Sequence, residues 1–332
     1  MPVLLSTTAP KPLPLPRSTR TVAEEVRRLA DGGELTLPLP GVDTGRRWTA
    51  LAALGRTDLA VARLAEGHVD ALAILAEAGR PSVPDALYGV WAARSGGTGA
   101  ELTPNGLEGT VRFCSGLTAL DRALVVATTP GGDGSTCRLV DVDLRAPGIV
   151  REPEHWQAIG MDASDSGDVR FDALEVTPDM VVGPPGWYLS RPGFVLGGGG
   201  VAAVWLGGTA GVVDDVLASL ASKADEHQLA HLGAVHTALR CAEALLADAA
   251  TRVDTAPETD HTLLMSTCRA AAERAAWETL DRVPRITGAT PLCRDHAFAQ
   301  RLADLQVYVR QHHAERDLAA LGRAVLTEAA PR

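Results

Sequence analysis

Nine histidines, five cysteines and a run of four glycines are the residues of this 332-residue chain with the plainest chemical potential. Gly197-Gly198-Gly199-Gly200 followed by Val201-Ala202-Ala203 satisfies G-x-G-x-x-A, a pattern that cradles phosphates in dinucleotide folds. That chemistry needs a parallel strand-turn-helix unit around the glycines, and none is patterned here, so the run reads as a flexible helix entry that lets backbones approach. No Gly-Lys-Ser/Thr follows it, which excludes a P-loop. His227, His231 and His236 share one helical stretch, the first two spaced to lie on one face. A metal would need further ligands converging from elsewhere, and no metal site is predicted. His312 and His313, with Glu315 and Asp317, point about 100° apart on a helix and read as a solvated polar face. Cys114, Cys137, Cys241, Cys268 and Cys293 form no C-x-x-C pair and are odd in number, so neither a zinc site nor a disulfide scaffold is expected. Cys114, in Phe113-Cys114-Ser115-Gly116, lacks the strand-to-helix elbow of a hydrolase nucleophile and reads as a buried, inert thiol on a strand.

The elements that must position such groups follow from composition and pattern. A chain of this length implies two or three packed units. With 46% hydrophobic and 22% charged residues it folds, and the shortage of Tyr and Phe favours helices packed through small side chains. A net charge of −10 argues against a nucleic-acid partner. Proline-rich residues 1–17 predict an extended arm. A helix is predicted from Thr19 to the glycines at 32 and 33, and a second over Leu51 to Ala78. Between Tyr88 and Val182 short β-type runs alternate with turns such as Pro130 to Gly134, which predicts an antiparallel sheet. Helical period returns over Val201–Ser222, Ala230–Val253, Asp260–Asp281 and Asp295–Thr327. The expected fold class is therefore α+β: an N-terminal helical region (18–86), a central antiparallel β domain (87–190) and a C-terminal four-helix bundle (191–332). The proline-broken N-terminus does not suit a secretory signal, and no run approaches twenty apolar residues, so a soluble cytoplasmic protein with no membrane partner is expected.

This order of units, with three local strings, resembles the acyl-CoA dehydrogenase superfamily of flavoproteins. Leu87–Gly97 (LYGVWAARSGG) is similar to the family's G-x-x-A-x-T-E-P-G-A-G-S-D segment. Gly106–Ala127 resembles its L-N-G-x-K-x-W-I-T-N strand and turn. Ala158–Val176 (AIGMDASDSGDVRFDALEV) is close to M-G-x-R-x-S-D-T-x-x-x-x-F-x-x-V. The tail from Pro291 through Leu321 is similar to the last bundle helix. The resemblance implies a flavin, FAD first and FMN or reduced flavin from a partner as the alternative, held between β domain and bundle. It places Trp91, Ala92, Ala93 and Arg94 at the pyrimidine edge, Phe113 stacked on the isoalloxazine, and Cys114 and Ser115 beside it, with the Ser115 hydroxyl at N5. Ser95 and Gly96 fall where the substrate binds.

Departures from the family pattern narrow what is implied. The base that removes an α-proton is a glutamate after a tyrosine near the C-terminus; here Tyr308 is followed by Val309, Arg310 and Gln311. The alternative position on the first bundle helix, Gly197 to Leu206, holds no acid. No catalytic residue is assigned, although Arg310, if it faced the pocket, would suit an anion. The arginine string that grips the pyrophosphate is replaced by Lys223-Ala224-Asp225-Glu226-His227, and a glycine-rich segment shrinks to Ile286-Thr287-Gly288-Ala289. The resemblance implies first α,β-dehydrogenation of an acyl-CoA or carrier-bound thioester. A monooxygenase using reduced flavin from a partner reductase is the second reading, and a degenerate non-catalytic subunit the third. A homodimer or homotetramer is expected.

Overall fold

The computed structural model describes residues 4–5, 17–129, 136–220 and 224–329. Most of the arm and the turn expected at Pro130 to Gly134 lie outside the described residues.

The N-terminal unit is three helices, α1 (Thr19–Asp31), α2 (Thr44–Thr57) and α3 (Leu59–Glu77). Ser18 caps α1 by accepting from the Thr21 N–H. The helix predicted over 51–78 is two helices. Asp58, with extended backbone (φ −158°, ψ 129°), ends α2 and caps α3 by accepting from the Ala60 and Val61 N–H groups. Apolar periodicity continues through a cap of this kind because both helices bury faces against the same core.

The central sheet has eight strands: β1 (Tyr88–Trp91), β2 (Gly99–Thr103), β3 (Gly106–Cys114), β4 (Arg122–Thr128), β5 (Arg138–Asp143), β6 (Ile149–Glu152), β7 (Gly167–Leu174) and β8 (Val181–Val182). The order is β6-β7-β3-β2-β4-β5-β8, with β1 also beside β4. The sheet is mixed, which corrects the antiparallel expectation. β1 and β2 both run parallel to β4, Trp91 opposite Val125 and Ala100 opposite Ala127, and the other pairings are antiparallel. In effect one strand position beside β4 is interrupted after Trp91 and resumed at Gly99. Short parallel ladders have the same residue pattern as short buried antiparallel ones, so pattern alone does not separate them.

After the short α4 (Trp187–Ser190), the C-terminal unit contains α5 (Pro192–Leu220), α6 (Glu226–Thr255), α7 (Thr262–Thr287), α8 (Ala289–Arg294), α9 (His296–Tyr308) and α10 (Glu315–Ala329). The predicted fourth bundle helix is thus broken after Tyr308, where residues 309–311 make one 3-10 turn and Ala314 has φ +45°. The four-glycine run is inside α5, not at a flexible entry. A Cβ on Gly199 would lie 2.2 Å from the Trp48 ring, and one on Gly207 would lie 1.9 Å from the Ala52 carbonyl oxygen. Glycine weakens a helix interior by about 1 kcal/mol per residue, but here it brings α5 into backbone contact with α2 and buries both. By length and composition α5 is apolar enough to cross a membrane, contrary to the sequence expectation. It is a core helix, with 72% of its most apolar window buried inside the fold. The main core is continuous from Val22 on α1 through the sheet to Val309.

Candidate functional site

The interruption between β1 and β2 builds one side of the site. Past Trp91 the chain leaves the ladder, so Ala92, Ala93 and Arg94 pair with no strand. Ser95–Gly97 then make a single turn closed by the Thr98 N–H and hydroxyl on the Ser95 carbonyl, with Gly96 at φ +64°. The Trp91 ring is buried, and its Nε1–H donates to the Ser115 carbonyl at 3.1 Å. Its side chain therefore braces the end of β3 and leaves the exposed edge to the residues after it.

At that end of β3, Phe113 has φ +60° and is 53% exposed. The left-handed region costs a residue with a Cβ about 1–2 kcal/mol, and a large exposed aromatic gains little burial in return. Its ring meets Trp156 edge-on, centroids 6.5 Å apart. Next to it, the Ser115 hydroxyl accepts from Ser166 Oγ at 3.0 Å. Ser166 stands 2.7 Å from Ser164 Oγ, which donates to the Met161 carbonyl. With its oxygen so engaged, Ser115 has its own proton left to give. Cys114 between them is buried, and burial pushes its thiol well above the usual range, as befits an inert group.

The turn that carries Ser164 and Ser166 is fixed on two sides. Asp165, itself left-handed, accepts from Thr118 N, Thr118 Oγ1 and Ala119 N. The Met161 N–H donates to Asp304 on α9, and Arg17 bridges Asp304, Asp162 and Asp58 at 2.7–2.8 Å. Burial pushes the Asp304 carboxyl up to about 6 despite Arg17 beside it. A Cβ on Gly160 would lie 2.0 Å from the Ala303 carbonyl oxygen, so this turn rests directly on the α9 backbone.

The facing side belongs to α3. A small cleft is lined by Arg63, Gly67, Val90, Trp91, Ser115 and Leu120. Behind Arg63 lies Glu66, 4% exposed, 2.7 Å from Arg63 Nη1 and 3.4 Å from the Tyr308 hydroxyl. Asp70, which Arg47 pairs at 2.7 Å, lies one turn on from Glu66 in α3. Burial, reinforced by Asp70 and opposed by Arg63, pushes the Glu66 carboxyl up to about 7. Arg63, Glu66 and Asp70 belong to no short motif, yet they are charged residues at i, i+3 and i+7 of a largely apolar helix. That spacing marks a single polar stripe turned inward.

The C-terminal candidates fare differently. Val309, where the resemblance would put a carboxylate base, is fully buried and apolar. Arg310 is exposed, paired with Glu273 at 2.7 Å and stacked over Trp277, so its guanidinium is already committed on α7. His312 corrects the solvated-face expectation. It is 2% exposed against Trp205, with Nδ1 unpartnered, because the chain turns inward where the fourth helix breaks. His313 is exposed and bonds Asp317. Among the described residues His227 and His231 gather no ligand set, and His231 Nδ1 meets Arg282. Among the described residues the groups near enough to share an ion are Glu152, His155 and Asp168, with Arg112 and Arg170 already within 4 Å of their carboxylates.

These features fit an isoalloxazine: an exposed flat ring, a hydroxyl with a proton to give and, beside both, the backbone amides of 92–94, which pair with no strand among the described residues. Fit to a second nucleotide half is poorer. Asp225 caps α6, and the Gln228 side chain closes onto the Ile286 carbonyl at 2.7 Å, tying together the two segments that would grip a pyrophosphate. Lys223 lies outside the described residues.

No family model and no curated protein matches the chain. Solved structures do. The dibenzothiophene monooxygenase TdsC from Paenibacillus sp. A11-2, in complex with FMN and indole, matches at TM-score 0.76 and 19% identity over 94% of this chain and 97% of that one. KijD3 in complex with FMN and a dTDP-linked amino-keto sugar matches at TM-score 0.79 and 18% identity, over 98% and 97%. Butyryl-CoA dehydrogenase from Megasphaera elsdenii matches at TM-score 0.74 and 17% identity, over 93% and 89%. The chain has the acyl-CoA dehydrogenase fold.

Proposed function

We propose that this protein is a flavin-dependent oxidoreductase, and that its flavin sits on Phe113. The observation that carries this reading is Phe113 itself, an exposed ring on left-handed backbone beside the Ser115 hydroxyl. Strain of that kind persists where a site needs the side chain presented outward. Phe113 would supply the apolar face, Ser115 a proton donor at N5, and the Ala92, Ala93 and Arg94 amides the pyrimidine edge. Cys114 would contribute backbone, while Ser95 and Gly96 border the substrate. When bound, the flavin would supply two-electron redox chemistry.

Of the two chemistries, oxygenation with reduced flavin delivered by a partner reductase is favoured by Val309, since a monooxygenase needs no carboxylate to remove an α-proton. α,β-Dehydrogenation of an acyl thioester needs a free carboxylate, whereas Glu66, the buried acid behind the cleft, is already engaged by Arg63. The closed Gln228–Ile286 contact favours FMN over FAD, as does the FMN in the TdsC and KijD3 complexes. A homo-oligomer accords with the exposed Leu217, Leu229, Leu318 and Leu326 on the bundle helices.

Fluorescence titration of the purified protein with FMN and FAD, each oxidised and reduced, tests the class. Saturable quenching by FMN, strongest in the reduced state, is expected, with no anaerobic bleaching by butyryl-CoA. Absence of quenching by either flavin in either state would overturn the proposal, and bleaching by the thioester would restore the dehydrogenase.

A further inference from the structure

Among the described residues Arg63 is the one charged side chain lining the cleft beside Ser115 and Trp91. It is 18% exposed, and of its five N–H donors one is spent on Glu66 among the described residues. An aliphatic chain entering this cleft would strip water from the guanidinium and give nothing back, which is costly for a cation. A carboxylate or phenolate oxygen would instead meet the planar donor fork.

We propose that Arg63 docks an anionic oxygen of the substrate, of carboxylate or phenolate type, and that Glu66 is the internal counter-ion it exchanges for that oxygen. The inference rests on the flavin-site reading, because it makes the substrate's anionic end the neighbour of Ser115. When Arg63 turns away, the Tyr308 hydroxyl remains on Glu66, and the nearby Asp70 favours its neutral form, which needs no counter-ion. The charged and titratable groups that face Glu66 are Arg63 and Asp70 on α3, Tyr308 at the end of α9, Arg269 on α7 and Tyr188 on α4. Since burial holds the Glu66 carboxyl near 7, it is neutral below that pH and leaves Arg63 to the ligand. Above it, carboxylate and ligand compete. Anion binding therefore weakens as pH rises through about 7.

Calorimetric titration with benzoate and with benzamide, its neutral isostere, tests this with and without FMN. At pH 6 benzoate is expected to bind about tenfold tighter than benzamide, the difference between a charge-assisted and a neutral hydrogen bond. The preference is expected to vanish in R63Q and to survive in part in R63K. Affinity for benzoate is expected to fall severalfold between pH 6 and 8 in the parent and to stay flat in E66Q. The double variant R63Q/E66Q, which leaves no buried charge unpaired between the two, replaces R63Q if that single variant does not fold. Equal binding of the two probes, no heat with either, or a preference that survives loss of Arg63 would overturn the proposal. A preference that depends on Arg63 in a protein that binds no flavin would sustain it and sink the flavin reading instead.

Discussion

On the sheet side of the site, Phe113, Ser115 and Ser166 offer an exposed ring and neutral hydroxyls, held by left-handed backbone and the turn at 160–166. On the helix side, Arg63, Glu66, Asp70 and Tyr308 form a buried ionisable group held by mutual compensation. One wall is specified by shape, the other by charge. The first should therefore respond to substitutions that displace backbone and be indifferent to pH. The second should tolerate shape-conserving changes and follow protonation.

The largest effect is expected from Gly160→Val. Any side chain at 160 collides with the Ala303 carbonyl and lifts the turn off α9, which breaks the Met161–Asp304 bond and leaves a buried carboxyl short of one of its donors, with Arg17 and Gln300 remaining. Backbone displacement and the loosened buried charge together should remove about 4 kcal/mol or more of stability. Flavin binding should go with it, because Ser164 and Ser166 ride on the same turn. Urea denaturation beside a flavin titration checks this, and a variant as stable as the parent would show that the turn does not depend on α9.

The two walls also differ in how far they could be read beforehand. Phe113 and Ser115 stood out because three strings resemble a flavoprotein family, and the structure sets Phe113 at the end of β3 with Ser115 two residues on. The helix order and the C-terminal bundle were legible from apolar period. The split of 51–78 at Asp58 was not, since a capping aspartate keeps the period intact, and neither was the parallel pairing of β1 and β2. Glu66 and Asp70 were visible as charges in an apolar helix, but their partners Tyr308 and Arg47 lie 242 and 23 residues away, and only the packed fold brings them together. His312 was misjudged for a related reason, since helical spacing places it on a surface that the break after Tyr308 removes.

A smaller effect separates the charged wall by pH. Burial holds the Glu66 carboxyl near 7 in the fold, above the unfolded value of 4.5, so its neutral form is stabilising at low pH. That contribution is lost as pH rises from 4.5 through 7, about 3 kcal/mol in all. His68, two residues on, runs the other way. Burial, with Arg27 nearby, lowers it to about 4 from 6.5, and its Nδ1 accepts the Tyr88 N–H. Stability from neutral His68 is therefore lost as pH falls from 6.5 through 4, again by about 3 kcal/mol. Between about 4.5 and 6.5 the two slopes oppose. Glu66→Gln should thus steepen the acid loss and abolish the loss toward pH 8, while His68→Asn should do the reverse. Denaturation midpoints of the three proteins at pH 4.5, 6 and 8 check this, and parallel curves would mean that neither group titrates within the fold.

The smallest effect isolates the neutral wall. Phe113→Ala and Phe113→Gly both remove the ring, so both should weaken flavin binding by about tenfold, the order of one lost stacking contact. Their stabilities should differ. At φ +60° alanine keeps the clash of its Cβ and glycine has none, so the glycine variant should be about 1 kcal/mol the more stable. Flavin affinity would then follow the ring while stability follows the backbone. If alanine proved the more stable of the two, Phe113 would not be held in left-handed backbone, and the presentation of its ring would need another cause. If both variants bound flavin as tightly as the parent, the ring would not be the flavin's platform, however strained its backbone.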